Sequence, residues 1–264
     1  MRECALTDRS VFRLTGPDTH EFLQGIVTQD VAATDPALFS ALLTPQGKIL
    51  FDFFLTPDAD GFILDCHESV GDALEKRLKL YKLRAKVTIE RLEGWGVALG
   101  AHEAAHPDPR HDDLPARRPA SAETLAALEN GDAIYKTARM TVGAPELGLD
   151  YATEEMFLLD VNYDALNGVD YKKGCFVGQE VTSRMKRKGE VRKRTVRVEG
   201  ASLTPGEAIT AGDATLGQIL NADADQGLAL IRLDRWEKAA DQGAAPLCDG
   251  VPVRIEVPDY LKRV

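Results

Sequence analysis

Asn167-Gly168-Val169-Asp170-Tyr171-Lys172-Lys173-Gly174-Cys175-Phe176-Val177-Gly178-Gln179-Glu180-Val181-Thr182-Ser183-Arg184 is the stretch on which the reading of this chain turns. Cys175 follows Gly174 directly and precedes Gly178 by three residues. Glycine permits unusual backbone angles and close approach, so the spacing predicts a thiol on an exposed turn. The bases Lys172, Lys173 and Arg184 suit a sulfur that reacts or binds metal. Gln179 and Glu180 offer an amide and a carboxylate, a pair able to hydrogen-bond a ring edge. A free cysteine is otherwise commonly a small core hydrophobe. Two glycines and two lysines beside it argue against that here.

The charge around this stretch is uneven. The chain of 264 residues has a net charge of −10, which disfavours nucleic-acid binding by the surface as a whole. Between Arg184 and Arg197, however, eight bases face the single acid Glu190, a local charge of +7 that leaves −17 elsewhere. A solvated hairpin between strands explains such a run as well as a site for an anion does, for example a phosphate or the glutamate tail of a folate.

Upstream, Ser10-Val11-Phe12-Arg13-Leu14 reads as a strand, and Thr15-Gly16-Pro17-Asp18 opens a helix that stops near Gly25. Ile49 to Leu55 is apolar and β-prone, with Gly61-Phe62-Ile63-Leu64 as its hairpin partner. Ser69 is placed to cap a second helix, whose apolar stripe is Val70, Leu74, Leu78 and Tyr81. Val87-Thr88-Ile89 and Val97-Ala98-Leu99 follow as strands. Residues 101 to 132, rich in proline, histidine and charge, read as a loop with at most a short helix from Ala122 to Leu128. From about Lys193, short apolar runs alternate with turn signals at the spacing of a small β-barrel or sandwich. Strands and helices are mixed rather than regularly alternating, so the fold class is α+β. We divide it into residues 1–190 and a C-terminal barrel, 191–264.

Several function classes fall away. The four cysteines, Cys4, Cys66, Cys175 and Cys248, form no Cys-x-x-Cys pair, so no resident metal or iron–sulfur site is expected. His102-Glu103-Ala104-Ala105-His106 matches the zinc-protease pattern in letters, but Pro107 and Pro109 follow and no apolar helix surrounds it. The glycines around Gly94-Trp95-Gly96 bound a strand instead of opening a helix, and no phosphate loop or serine elbow is found. No run approaches the ~18 apolar residues of a membrane helix, and the first residues hold no apolar stretch. The expectation from these features is a cytoplasmic protein.

Lys173-Gly174-Cys175-Phe176-Val177-Gly178-Gln179-Glu180, with Arg184 four residues later, resembles the signature of YgfZ-type proteins, Lys-Gly-Cys-aromatic-x-Gly-Gln-Glu. The resemblance spans nearly the whole chain. It takes in Gly16-Pro17-Asp18, Phe22-Leu23-Gln24-Gly25, Thr28, Asp30-Val31, Thr44-Pro45-Gln46-Gly47-Lys48-Ile49, Tyr81 to Val87 and Asp108-Pro109-Arg110. It implies the fold of the glycine-cleavage T-protein, with a folate-binding α+β body, a C-terminal β-barrel and a central cavity. It also implies tetrahydrofolate as ligand. Two aromatic positions tied to folate in the family fall on Ser10, a departure, and on Tyr135. Tyr135 and Arg139 therefore join Lys173, Gln179, Glu180 and Arg184 as candidate folate-binding residues.

The leading function that the resemblance implies is a folate-binding accessory to the assembly or repair of iron–sulfur enzymes, with Cys175 as the reactive group and client or assembly proteins as partners. A tetrahydrofolate-dependent aminomethyl or one-carbon transferase is the alternative. Against it, the T-protein's acidic pair reads Phe51-Asp52 here, and Thr141 stands where those enzymes carry a pterin-binding glutamate. A third class is an RNA-binding adaptor in tRNA modification that uses the run from Arg184 to Arg197.

Overall fold

The computed structural model describes residues 1–32, 37–187 and 191–263, with Arg263 described by its backbone alone. The apolar run Ile49 to Leu55 is buried at every position, and both faces of its strand are covered, which explains its lack of polar alternation. It lies in an antiparallel five-stranded sheet of β2 (Arg9–Thr15), β3 (Leu38–Leu43), β4 (Ile49–Asp58), β5 (Gly61–His67) and β6 (Thr88–Arg91), in the order β3-β4-β5-β2-β6. Phe51, Phe53 and Leu55 pack with Phe22 and Leu23 of α1 (Thr19–Ile26) and with Leu74 and Leu78 of α2 (Glu68–Tyr81). On the opposite face, Phe39 and Phe54 pack with Tyr151, Tyr163 and Phe176.

A four-stranded sheet joins β1 (Cys4–Leu6), β7 (Gly96–Leu99), β8 (Arg117–Ala120) and β9 (Glu129–Asn130), with α3 (Ala122–Ala126) between β8 and β9 and α4 (Asp132–Val142) after β9. Gly143 ends α4 in the left-handed region at φ 83°, and a Cβ there would meet Pro258 Cγ at 2.8 Å.

The C-terminal sheet has seven strands. In spatial order they are β15 (Val251–Pro252), β14 (Leu247–Cys248), β11 (Ala208–Ala211), β12 (Ala214–Asp223), β13 (Gln226–Arg232), β10 (Lys193–Glu199) and β16 (Arg254–Glu256). Its two edge strands, β15 and β16, are separated in sequence by Val253 alone, so the sheet must curl until its edges approach. Val196, Ile209, Leu216 and Ile231 form its apolar core, and α6 (Leu233–Asp241) packs against β12 and β13 with Ala239, Leu233 and Trp236 joining the same cluster. The result is the α+β body with a nearly closed C-terminal barrel.

Three local expectations need correction. α2 is capped by His67, whose Nδ1 accepts from the Ser69 backbone N–H, and not by Ser69 itself. The charged stretch 101–132 is not a loose surface loop, because it contains β8 and buries Asp108, Arg110 and Arg117. The basic run is no hairpin: Gln179–Arg187 forms α5 and Lys193 begins β10, while Lys188 and Glu190 lie outside the described residues. The His102–His106 motif is non-helical, as expected, and His102 Nδ1 accepts from the Ala104 N–H at 3.0 Å.

Candidate functional site

Two stretches far apart in sequence build the turn that carries Cys175. The chain leaving α1 runs beside residues 167–173 and is tied to them by hydrogen bonds. Thr28 Oγ1 donates to Gly168 O at 2.6 Å, the Asp170 N–H to Thr28 O at 3.0 Å, and Gln29 Nε2 to Asn167 O at 2.7 Å. Lys173 completes the seam. Its Nζ donates to Gln24 O at 2.7 Å and Val27 O at 2.5 Å, while Gln24 Nε2 returns a bond to Lys173 O at 3.3 Å. The last carbonyls of a helix lack partners within the helix and carry partial negative charge, so a cation there is favourable. Burial pushes the Lys173 ammonium down to about 8, yet it stays bonded to carbonyls and not to the thiol.

On the other side of Cys175, Phe176 is buried in the main core. Gly178 then takes φ 82° where a Cβ would lie 2.7 Å from Thr44 O, and Gly47 presses on Val181 from the facing turn. The start of α5 is thereby locked to the Thr44–Lys48 turn. Gly174, at φ 104°, has open space around it. The alternation is mechanical: Lys173 and Phe176 are anchored inward, and Gly174 and Cys175 are left outside.

All four cysteines are described, and Cys175 alone among them is exposed. Burial pushes the thiol of Cys66 up to about 12 and also raises those of Cys4 and Cys248. Gln179 is half-buried at the head of α5, and Glu180 and Arg184 are exposed one turn apart. Sequence reasoning did not single out Gln24 or Thr28 as site residues, although both stand in the segments that carry the family resemblance. Tyr171 was missed as well; its hydroxyl is buried without a partner, and Lys186 Nζ sits 4.2 Å above its ring.

Tyr135 and Arg139 are elsewhere. Both project from the buried face of α4 into an internal ion network. Tyr135 OH accepts from Arg110 Nη2 at 2.7 Å and donates to Glu146, and burial pushes it up to about 12. Arg139 pairs with Asp150 and also donates to Ala144 O at 3.2 Å. Arg9 bridges Asp65 (2.7 Å) and Glu146, Arg110 bridges Asp108 (2.8 Å) and Glu146 (3.0 Å), and Arg117 reaches Asp65 at 2.7 Å. Four arginines thus meet four carboxylates, counting Asp150, and the network is neutral. Burial alone would raise the Glu146 carboxyl; Arg9 and Arg110 outweigh it and hold the group well below the usual range. Beside the network, burial pushes Asp52 up to about 6, although Tyr163, Tyr151 and the Leu147 N–H all donate to it.

The sequence-based site therefore divides. Cys175, Lys173, Gln179, Glu180 and Arg184 share one turn and helix, whereas Tyr135 and Arg139 belong to the interior. Ser10 is buried and accepts from Arg91 Nη2 at 2.9 Å. Among the described residues no cluster of three or more histidine, cysteine or acidic side chains could hold a metal ion.

Comparison with known proteins now places the chain. A family model described as "CAF17, C-terminal beta-barrel domain" matches residues 192–263. The human protein named "Iron-sulfur cluster assembly factor IBA57, mitochondrial" is 31% identical over an alignment covering 98% of this chain and 85% of that protein. The chain belongs to the YgfZ/IBA57 family. Mouse IBA57, of the same description, is 30% identical over 86% of this chain and 76% of that protein. Among solved structures, a glycine cleavage system aminomethyltransferase T from Bartonella henselae shares the fold at a TM-score of 0.76 and 14% identity, covering 98% of this chain and 85% of that one. The cytoplasmic placement expected from sequence is overturned, because these IBA57 relatives are named mitochondrial. The lack of a long apolar run, on which that expectation rested, does not distinguish one compartment from another.

Proposed function

We propose that this member of the YgfZ/IBA57 family serves in iron–sulfur cluster assembly, with Cys175 as the thiol that meets the cluster or the metal-bearing partner. The observation that carries this reading is the mounting of that thiol: it is the one exposed cysteine of the four, on a turn pinned by Lys173 to the end of α1 and by Phe176 to the core. A cluster ordinarily takes four ligands. One thiol with no cluster of donor side chains beside it among the described residues fits shared or passing ligation, in which a partner supplies the rest and the cluster is cargo. Gln179, Glu180 and Arg184 border the turn and would shape that contact. The test is complementation. Cys175→Ser is expected to fold normally and to leave iron–sulfur enzyme activity unrestored in a strain lacking the gene; full restoration would refute the assignment.

Folate binding is the second reading, supported by a fold shared with an aminomethyltransferase. The residues at hand do not fit it as one site. Tyr135 and Arg139 have their polar groups engaged in the internal network and are 4% and 1% exposed, whereas Lys173, Gln179, Glu180 and Arg184 belong to the Cys175 turn and the helix that follows it. We therefore derive no chemical step through a folate, and one-carbon transfer has no acid–base machinery assigned to it. Titration with tetrahydrofolate, read by the fluorescence of Trp95 and Trp236, decides whether it binds. RNA binding has weaker support, since Arg194 pairs with Asp164 and Arg197 with Glu256, which breaks up the basic run. Steep salt dependence of tRNA binding is the result that would revive it.

A further inference from the structure

The C-terminal half of α5, the segment from Glu155 to Asp160 and one face of the barrel enclose an open cavity of about 840 Å³. Phe157, Met185, Val191 and Leu230, each partly accessible, give it an apolar floor, and Lys48, Lys193, Arg232 and Arg235 stand among its walls. Cys175 lies on the turn that leads into the helix whose Met185 lines the cavity. We propose that this groove docks an acidic segment of a partner protein, one that sets apolar side chains between its carboxylates.

Lys48, Lys193 and Arg235 make no ion pair with any described residue. Lys48 Nζ donates to Glu155 O at 2.6 Å and lies 3.9 Å above the Phe157 ring, and Arg235 Nη1 donates to Thr215 O at 2.9 Å. The two carboxylates in the wall are turned to backbone: Glu155 Oε2 accepts from the Ala152 N–H at 2.9 Å, and Asp160 Oδ2 from the Phe157 N–H at 3.1 Å. Lys193 of β10 stands directly opposite Arg232 of β13 in the antiparallel register. Like charges so placed destabilise a sheet, and an anion between them removes the repulsion. Arg232 is already paired with Asp234 at 2.7 Å, whereas Lys193 makes no direct ion pair with a described residue and shares the charge of the single carboxylate Asp160 with Lys48. All this occurs in a chain of net charge −10, so the positive groove steers an acidic partner to one place.

Long flexible cations around an apolar floor suit a protein segment better than a small anion, which is usually gripped by a few fixed donors. The proposal rests on the cluster-assembly reading only in requiring a partner. Its test is the fluorescence anisotropy of a labelled peptide alternating Glu and Leu, with a Gln–Leu peptide and unlabelled pentaglutamate as controls. Binding of the Glu–Leu peptide at low salt is expected, weakened about tenfold or more by the pair Lys193→Glu and Arg235→Glu and by added salt. Binding equal in wild type and double variant, absence of binding, or pentaglutamate competing as well as the peptide would each overturn it. The double variant is expected to keep normal thiol reactivity at Cys175, whereas Cys175→Ser is expected to keep peptide binding. Failure of the groove and failure of the thiol assignment are thereby told apart.

Discussion

Glu146→Gln takes one negative charge out of a buried network that is otherwise neutral. Glu146 accepts from Arg9, from Arg110 at 3.0 Å and from Tyr135, and its side chain is inaccessible to solvent. The amide keeps the shape but leaves four arginines facing three carboxylates. Removing one partner from a buried ion pair costs about 3–5 kcal/mol, because the remaining charge stays desolvated. For a chain of this length, each kcal/mol lowers the melting temperature by about 2–4 °C, so a fall of roughly 6–20 °C is expected. Arg9→Met in the same chain restores neutrality, since Asp65 keeps Arg117 at 2.7 Å and Arg110 keeps Asp108 at 2.8 Å. The double variant should therefore lose less than the sum of the singles, with a coupling of about 1 kcal/mol or more. Calorimetry and urea unfolding of the four proteins supply the measurement. A loss below about 1 kcal/mol for Glu146→Gln, or strict additivity, would show that charge balance does not hold the interior together.

The thiols give a direct readout. In the native protein one equivalent should react quickly with Ellman's reagent, none in Cys175→Ser, and four only in denaturant; fast reaction of a second native thiol would contradict the burial of Cys4, Cys66 and Cys248. The two glycines flanking Cys175 should differ in tolerance. Gly178→Ala meets Thr44 O at 2.7 Å in addition to its φ of 82° and should cost more than about 2 kcal/mol, whereas Gly174→Ala meets nothing and should cost about 1 kcal/mol of backbone strain; equal costs in urea unfolding would refute the packing of α5 on the Thr44–Lys48 turn. Asp52 has a folded pKa raised to about 6 from 3.8, so the folded state binds its proton more tightly and stability should fall as pH rises from about 4 to 6. Since other carboxylates pull the opposite way, the comparison is with Asp52→Asn, in which this component should vanish; identical pH–stability curves would show that the carboxyl is not buried as described.

Local pattern and long-range pairing were unequally legible. The apolar run Ile49–Leu55, the stripe Leu74-Leu78 and the short strands after Lys193 announced themselves, because hydrophobic periodicity is a property of consecutive residues. The turn at Cys175 was legible for the same reason, since its glycines stand beside the thiol. The interior placement of Tyr135 and Arg139 was not read from the sequence, although their spacing of four, next to the buried Met140, marks one inward face of a helix. Residues 101–132 misled. Charge there suggested solvent, yet Asp108, Arg110 and Arg117 are among the most buried groups of the chain.

By itself the sequence determined the α+β class, the C-terminal barrel and the turn that presents Cys175. Tertiary structure alone decided that Lys173 closes the end of α1, 146 residues away at Val27, and that Arg9 meets Glu146 across 137 residues. A chain encodes how apolar each stretch is in its own residues. Which carboxylate neutralises a buried arginine, or which carbonyl receives a lysine, depends on what the fold brings within about 3 Å, a distance set by packing and not by neighbours in sequence.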